Sequence, residues 1–201
     1  PFRSIEVAEI SPSIVRASTT YFRDSGAGAL ADPRVHLFQA DGRNHLLVSD
    51  RKYDLVGIEL TSVWFAGAAS LYSREFYALV KSRLSEGGVL QQWVQLHHIS
   101  ARDLATVIHT LRLSFAHVAL FYGGGQGILV ASAAPLTASR AHLDELEGSL
   151  GAMRPNRPLA SLDVDVLAMD AGLDAFVADA AHEAGLRPED LVSTDDNLYL
   201  E

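Results

Sequence analysis

Cysteine is absent from this 201-residue chain, and methionine occurs only twice. A chain without cysteine has no disulfide framework, no thiolate nucleophile and no thiolate metal ligand. No apolar run reaches the roughly 18–20 residues that a membrane-spanning helix needs, and no signal segment opens the sequence. These absences fit a domain in the cytoplasm.

Clusters of basic residues are also lacking. The chain has 16 Lys and Arg against 25 Asp and Glu, a formal net charge of −9, and the basic residues are scattered. Binding through nucleic-acid phosphates needs a concentrated positive face. The acidic balance therefore predicts that nucleic acid is not a partner.

Strand-like and helix-like segments alternate through the first two thirds of the chain. Such alternation predicts parallel βαβ units, and hence an α/β fold with a Rossmann-like, doubly wound and mostly parallel sheet. Helices are expected after Ser11, around 44–48, from Ser73 to Gly87-Gly88, and after Ser100. The predicted strands are 4–10, 33–39, 53–59, 89–96, 117–122 and 127–132.

The last third of the chain has a different pattern. The glycine-rich run Gly123–Gly127 joins two strands instead of opening a helix, so it predicts an antiparallel hairpin and not a phosphate-binding loop. From about Pro135 the periodicity is helical, with helices expected at 137–150, 159–169 and 173–185. We therefore predict a core at 1–134 and a helical C-terminal extension at 135–201 that packs on it.

Two acids end neighbouring strands of the predicted sheet. Glu9 closes the first strand, and Asp41, followed by Gly42, closes the second. Ligands of open α/β sheets bind at the carboxyl ends of the strands, where an acid can accept hydrogen bonds from ribose hydroxyls. Asp41 could bind an adenine amino group, and Gly42 permits a close backbone approach. A solvated carboxylate at Glu9 and a plain Asp-Gly turn are the alternatives.

The stretch after the third strand, IELTSVWFAGAASLYSREFY, occupies the position of a catalytic loop. Between Glu59 and Arg74 its only ionisable side chain is the phenol of Tyr72.

The histidines show no metal-ligand spacing, so no metal is expected. Asp195-Asp196 reads as a solvated turn.

Several segments of the sequence resemble those of a known family. The segments SIEVAEISPSIV and DPRVHLFQADGRNHL, together with 53–96, resemble the spermidine synthase (aminopropyltransferase) family of the S-adenosylmethionine-dependent methyltransferase fold. Ala68–Tyr77 and Gly87–Trp93 are the most specific blocks. The likeness is greatest to the large, membrane-fused spermidine synthase-like branch, whose Thr-Asp-Asp ending is similar to the tail at 193–201.

The resemblance implies a co-substrate, either S-adenosylmethionine or its decarboxylated form, and a polyamine acceptor. Glu9 matches the ribose-binding acid, Asp41 matches the adenine-binding acid, and the loop from Glu59 covers the reacting centre. Glu59 and Tyr72 are then the candidate catalytic residues. The resemblance also implies a homodimer and a place on the cytosolic face of a membrane-anchored protein, whose membrane segments would lie outside this chain. Asp54, Ser62 and Gln92 are the residues expected on the acceptor side.

The sequence departs from the family in two places. Thr61-Ser62 stands where spermidine synthases carry the Asp that accepts the proton of the attacking amine, and loss of a general base typically costs about 10²–10⁴-fold. The first strand of the fold and its Gly-rich turn are expected upstream of Pro1. Aminopropyl transfer, methyl transfer, and a catalytically degenerate nucleoside-binding or structural module all remain open from the sequence.

Overall fold

The structure is a computed structural model that describes residues 2–22, 28–59, 67–97, 99–123, 125–151, 157–197 and 199–200. Within it the chain forms two compact units, Pro1–Asp50 and Arg51–Glu201. The division that the sequence suggested near residue 134 stays a prediction.

The first unit contains a pair of parallel strands. Strand β1 (Ile5–Ala8) pairs with β2 (Val35–Phe38), in register from Ile5 opposite Val35 to Ala8 opposite Phe38. Each strand leads into a helix whose start is capped by a side chain. The helices are α1 (Pro12–Thr20), capped by Ser11, and α2 (Gly42–Val48), capped by Asp41; a 3-10 turn at Ala29–Ala31 precedes β2.

The second unit is built on a five-stranded sheet. Its strands are β3 (Tyr53–Ile58), β4 (Leu84–Gln95), β5 (His117–Gly123), β6 (Gln126–Ser132) and β7 (Val166–Met169), in the order β3-β4-β6-β5-β7. β3 and β4 are parallel, whereas β6 is antiparallel to both β4 and β5. The α/β fold with a hairpin at the glycine-rich run is therefore confirmed. The helices are α3 (Arg74–Arg83), α4 (Ala101–Arg112), α5 (Arg140–Ser149) and α6 (Ala171–Glu183), with 3-10 helices at Ala69–Tyr72, Leu159–Asp165 and Pro188–Asp190.

One face of this sheet is packed under helices. Leu90, Gln92 and Val94 of β4 are fully buried on it, whereas the alternate residues of the same strand are half-buried. α3 contacts β4, and α4 and α6 contact β5. Val107, Ile108 and Leu111 of α4 are fully buried. We call this side the helix-covered face. None of the described helices is long and apolar enough to cross a bilayer.

The prediction that Gly87-Gly88 ends α3 is wrong. α3 ends at Arg83, and β4 begins directly at Leu84. The glycines instead lie in an irregularity of the β3–β4 pairing, which shifts register between Tyr53 and Leu55. A Cβ at Gly88 would lie 2.9 Å from the carbonyl oxygen of Tyr53, so this close backbone approach needs glycine.

The prediction of a helix at 159–169 is also wrong in its second half. Leu159–Asp165 is a 3-10 helix, but Val166–Met169 forms β7 and pairs with β5. A short apolar run fits either a buried helix or a strand. The edge of β5 decides in favour of the strand, because pairing satisfies the backbone hydrogen-bonding groups of both β5 and β7.

Candidate active site

The two acids that the sequence singles out in the first unit follow the ends of paired strands. Because Ala8 pairs with Phe38, Glu9 and Asp41 both lie at the carboxyl edge of β1 and β2. The Glu9 Oε1 accepts a hydrogen bond from the Ser11 N–H at 2.6 Å, which supports the start of α1. The Asp41 Oδ1 accepts one from the Asn44 N–H at 2.8 Å and caps α2. Each carboxylate thus has a structural role at one oxygen and has a second oxygen for other contacts.

Behind this edge lies a second polar pair. Glu6 of β1 and His45 of α2 are in contact, with 2.8 Å between Oε2 and Nε2. The His45 ring also packs on Phe38, with ring centroids 4.4 Å apart. The helix that Asp41 begins is therefore held against both strands by the same histidine.

In the second unit, Glu59 directly follows β3. It is exposed, and its Oε1 accepts a hydrogen bond of 2.8 Å from the Gln91 Nε2 on the neighbouring parallel strand. Gly57 is the register partner of Gln91, so Gly57, Glu59 and Gln91 point to the same side of the sheet. The Glu59 carboxylate is thus placed at the carboxyl end of β3 by a side chain of β4.

Trp93 lies on the same face as Gln91, two residues further along β4. Its ring is half-buried, and the indole Nε1–H donates to the Gln126 Oε1 at 2.7 Å, next to the turn of the β5–β6 hairpin. We call Glu59, Gln91, Trp93 and Gln126 the carboxyl-edge group. The sequence analysis did not assign Gln91, Trp93 or Gln126 to the site, although the alternation of side chains along β4 places Gln91 and Trp93 together once the face is known.

Gln92 lies on the opposite, helix-covered face and has no solvent exposure. Its Oε1 accepts a hydrogen bond from the Tyr77 hydroxyl at 2.7 Å, and its Nε2 donates to the Leu71 carbonyl at 3.0 Å. Both polar ends of this side chain are therefore occupied inside the core. The structure does not bring Gln92 together with Glu59, and an acceptor-side role for it stays a prediction.

Tyr72 is also fully buried. Its hydroxyl donates to the Trp93 carbonyl oxygen at 3.2 Å and ties the 3-10 helix Ala69–Tyr72 to β4. Burial raises the pKa of Tyr72 well above its ordinary value, and burial does the same to the pKa of Tyr77. A phenol with a raised pKa keeps its proton at neutral pH and cannot act as a base there.

Two further candidates lie elsewhere. Asp54 is near the start of β3, where it accepts a hydrogen bond from the Ser85 hydroxyl at 2.7 Å. Glu59 is five positions further along the chain, which in an extended strand is a distance of roughly 16 Å. The structure therefore does not bring Asp54 together with Glu59. Ser62, with the neighbouring Thr61, lies outside the described residues.

No group of three or more His, Asp and Glu side chains that could hold a metal ion is found within the described ranges. The carboxyl-edge group consists of carboxylate, amide and indole side chains. These groups can accept a proton, orient a carboxylate and present an aromatic face to a cation.

Comparison with known proteins agrees with this architecture. The chain is 29% identical over 148 residues to the polyamine aminopropyltransferase of Nitrosomonas europaea, which covers 70% of this chain and 45% of that protein. The chain spans less than half the length of this and other curated relatives, for example 36% and 27% of two further aminopropyltransferases.

Solved structures show the same fold. Spermidine synthase from Thermotoga maritima superimposes with a TM-score of 0.63 at 17% identity, over 87% of this chain and 60% of that one. A spermidine synthase in complex with the transition-state analogue AdoDATO gives a TM-score of 0.61 at 16% identity, over 87% and 59%. The family model of the spermine/spermidine synthase domain matches residues 1–133. The chain therefore belongs to the spermine/spermidine synthase domain family.

Proposed function

We propose that this domain transfers an aminopropyl group from decarboxylated S-adenosylmethionine to an amine such as a polyamine. The amine nitrogen attacks the aminopropyl carbon bonded to the sulfonium, a C–N bond forms, and the C–S bond breaks. The electron pair of that bond goes to sulfur, so methylthioadenosine leaves. The nitrogen loses one proton, which needs a base within hydrogen-bond reach.

The observation that carries the proposal is the position of Glu59. Its carboxylate stands at the carboxyl end of β3, which is the edge where open α/β sheets bind ligands, and Gln91 holds one of its oxygens at 2.8 Å. We assign Glu59 as the base that accepts the amine proton. The Trp93 ring, on the same face, would offer an aromatic surface to the alkylammonium chain.

We assign the nucleoside to the first unit. Glu9 would accept hydrogen bonds from the ribose hydroxyls, and Asp41 would accept one from the adenine amino group. Their shared place at the carboxyl edge of β1 and β2 supports this assignment. Gly42, at the first position of α2, would permit a close approach of the ligand to the backbone. The AdoDATO complex of a structural neighbour is consistent with a nucleoside ligand of this class.

A second candidate function is nucleoside binding without turnover. Thr61-Ser62 provides hydroxyls where related synthases carry a carboxylate, and a hydroxyl is a poor base. In that case Glu9 and Asp41 would retain the ligand while transfer fails. Methyl transfer from S-adenosylmethionine is a further outcome that the same experiment separates.

The test uses the full natural protein. Thermal unfolding is measured with decarboxylated S-adenosylmethionine, S-adenosylmethionine or methylthioadenosine, and products are followed by mass spectrometry with a diamine acceptor. A ligand at 100 times its Kd stabilises by about 2.7 kcal/mol. Aminopropylated diamine together with methylthioadenosine is the expected result.

The other outcomes separate the alternatives. A thermal shift without product favours the non-catalytic binding module, and a methylated product from S-adenosylmethionine replaces aminopropyl transfer by methyl transfer. No shift with any of the three nucleosides would overturn both the transferase and the nucleoside-binding proposals.

We further propose that the protein works as a homodimer on the cytosolic side. Light scattering of the purified protein tests the first point, and fractionation of cells tests the second. A monomeric mass at concentrations well above those of the activity assay would contradict the dimer.

A further inference from the structure

Gln91 has an unusual relation to Glu59, because its side chain lies across a neighbouring strand. The two residues are on parallel strands about 4.8 Å apart, and the Gln91 amide reaches the Glu59 Oε1 at 2.8 Å. The register partner of Gln91 is Gly57, two residues before Glu59. The amide therefore extends past Gly57 toward the end of β3.

Gly57 provides the space for this contact. A Cβ built at position 57 would lie 3.1 Å from the Gln91 Oε1, which is tighter than an ordinary contact. The backbone at Gly57 does not have a positive φ, so its conformation does not require glycine. Glycine weakens a strand interior and often marks a site of close approach. Here the group that approaches is the amide that holds Glu59.

The hydrogen bond also settles which carboxylate oxygen is engaged. Gln91 donates to Oε1, and we expect the other oxygen of Glu59 to take the proton from the acceptor amine. An amide donor fixes the carboxylate without supplying charge or a competing proton acceptor at that oxygen. Such support of a reacting group by a neighbouring hydrogen bond is how catalytic geometry is maintained.

We propose that Gln91 is a positioning residue for Glu59 in aminopropyl transfer, and that Gly57 is the second part of the same device. The inference rests on the proposed function of the site. It makes Gln91, and not its buried neighbour Gln92, the glutamine on which the rate of transfer depends.

The proposal is tested by two substitutions that break one contact from opposite sides. Gln91→Met keeps the length of the side chain and removes the donor, and Gly57→Ala keeps Gln91 but obstructs its amide. A misplaced reacting group can cost as much as about 10²-fold. We therefore expect each variant to lower kcat by about 10–10²-fold, while KM for the nucleoside stays unchanged.

The double variant adds a further readout. Because both substitutions act through one contact, their effects should not add, and the Gln91→Met/Gly57→Ala protein should be about as slow as either single variant. Gly123→Ala is the matched control for the glycine. Gly123 lies at the end of β5, and a Cβ there would meet nothing within 4 Å. Its kcat should equal that of the unsubstituted protein.

Failure of this inference differs from failure of the proposed function. If the unsubstituted protein makes no aminopropylated product, the function is wrong and the inference falls with it. If the unsubstituted protein is active and Gln91→Met has the same kcat, only the positioning role is wrong. A rise in KM with an unchanged kcat would also overturn the positioning role. So would a double variant in which the effects of the two substitutions add fully. Thermal unfolding of each variant identifies any that simply misfold.

Discussion

Gln91 and Gln92 are adjacent, chemically identical residues of β4 that lie on opposite faces of one sheet. Gln92 is fully buried, and both ends of its amide are bonded to Tyr77 and Leu71 in the core. Gln91 is half-buried on the other face and holds the exposed carboxylate of Glu59. The first contact serves the fold, and we propose that the second serves the reaction.

The difference follows from the pleat of the strand. Successive side chains point to opposite faces of the sheet. Of two adjacent residues, one therefore points into the packed core and the other to the opposite face. A buried amide must have its hydrogen bonds made within the protein, whereas an amide at the open edge can orient a group that meets a ligand. Substitutions on the two faces should therefore have different effects, on the reaction in one case and on stability in the other.

On the face of the sheet opposite the helix-covered face, the largest effect is expected from Glu59→Gln. This substitution keeps the shape of the side chain and removes the base, so we expect transfer to slow by about 10²–10⁴-fold. Single-turnover measurement of methylthioadenosine release checks it. The comparison within β3 is Asp54→Asn, at the opposite end of the strand. From its position against Ser85 we expect kcat and KM to be unchanged; a raised KM for the amine would instead support the acceptor-side role predicted from the sequence.

The helix-covered face is disturbed by Gln92→Leu. The substitution leaves the Tyr77 hydroxyl and the Leu71 carbonyl without the partners they have now, and a buried group without a partner costs about 1–3 kcal/mol. Urea unfolding should therefore show a clear loss of stability. Gln91→Leu, on the open face, should change the free energy of unfolding by less than about 1 kcal/mol. Equal losses in the two variants would contradict the contrast between the faces.

The smallest expected effect is a pH dependence on the helix-covered side. Burial of the His109 ring of α4 lowers its pKa below the ordinary value of 6.5, against the opposing influence of Asp174 and Glu189. The folded state therefore binds the proton less readily than the unfolded state. Stability should be complete above pH 6.5 and should fall as the pH drops below it toward the lowered pKa.

Urea unfolding between about pH 7.5 and about pH 5.5 measures this dependence. Because the ring is partly exposed, we expect a change below about 1 kcal/mol. His109→Gln should flatten this part of the curve. An unchanged slope in the variant would show that other groups cause the loss.

Much of the fold was predictable because its signals are local. Ser73 and Ser100 accept hydrogen bonds from the N–H groups of Phe76 and Asp103, as their positions before apolar periodic segments indicate. The glycine-rich hairpin was equally readable, because it lies between two strand-like runs. Only short-range chemistry is involved in each case.

The errors in the fold arise where a distant strand decides the outcome. Gly87-Gly88 has the composition of a helix end, but Gly88 is needed where β4 passes close to the backbone of Tyr53. Val166–Met169 is compatible with a helix or a strand, and pairing with β5 selects the strand. No local pattern contains that information.

For the candidate site, the sequence by itself determined the residue types and their order: acids after three strands, the tyrosines, and two adjacent glutamines. Only the tertiary structure decided that Gln91 reaches Glu59 over Gly57, that Trp93 contacts Gln126, and that Gln92 is enclosed by Tyr77 and Leu71. The reason is physical. Which side of a strand is covered depends on helices and strands that are distant in sequence, and a shift of one residue reverses the role of every side chain.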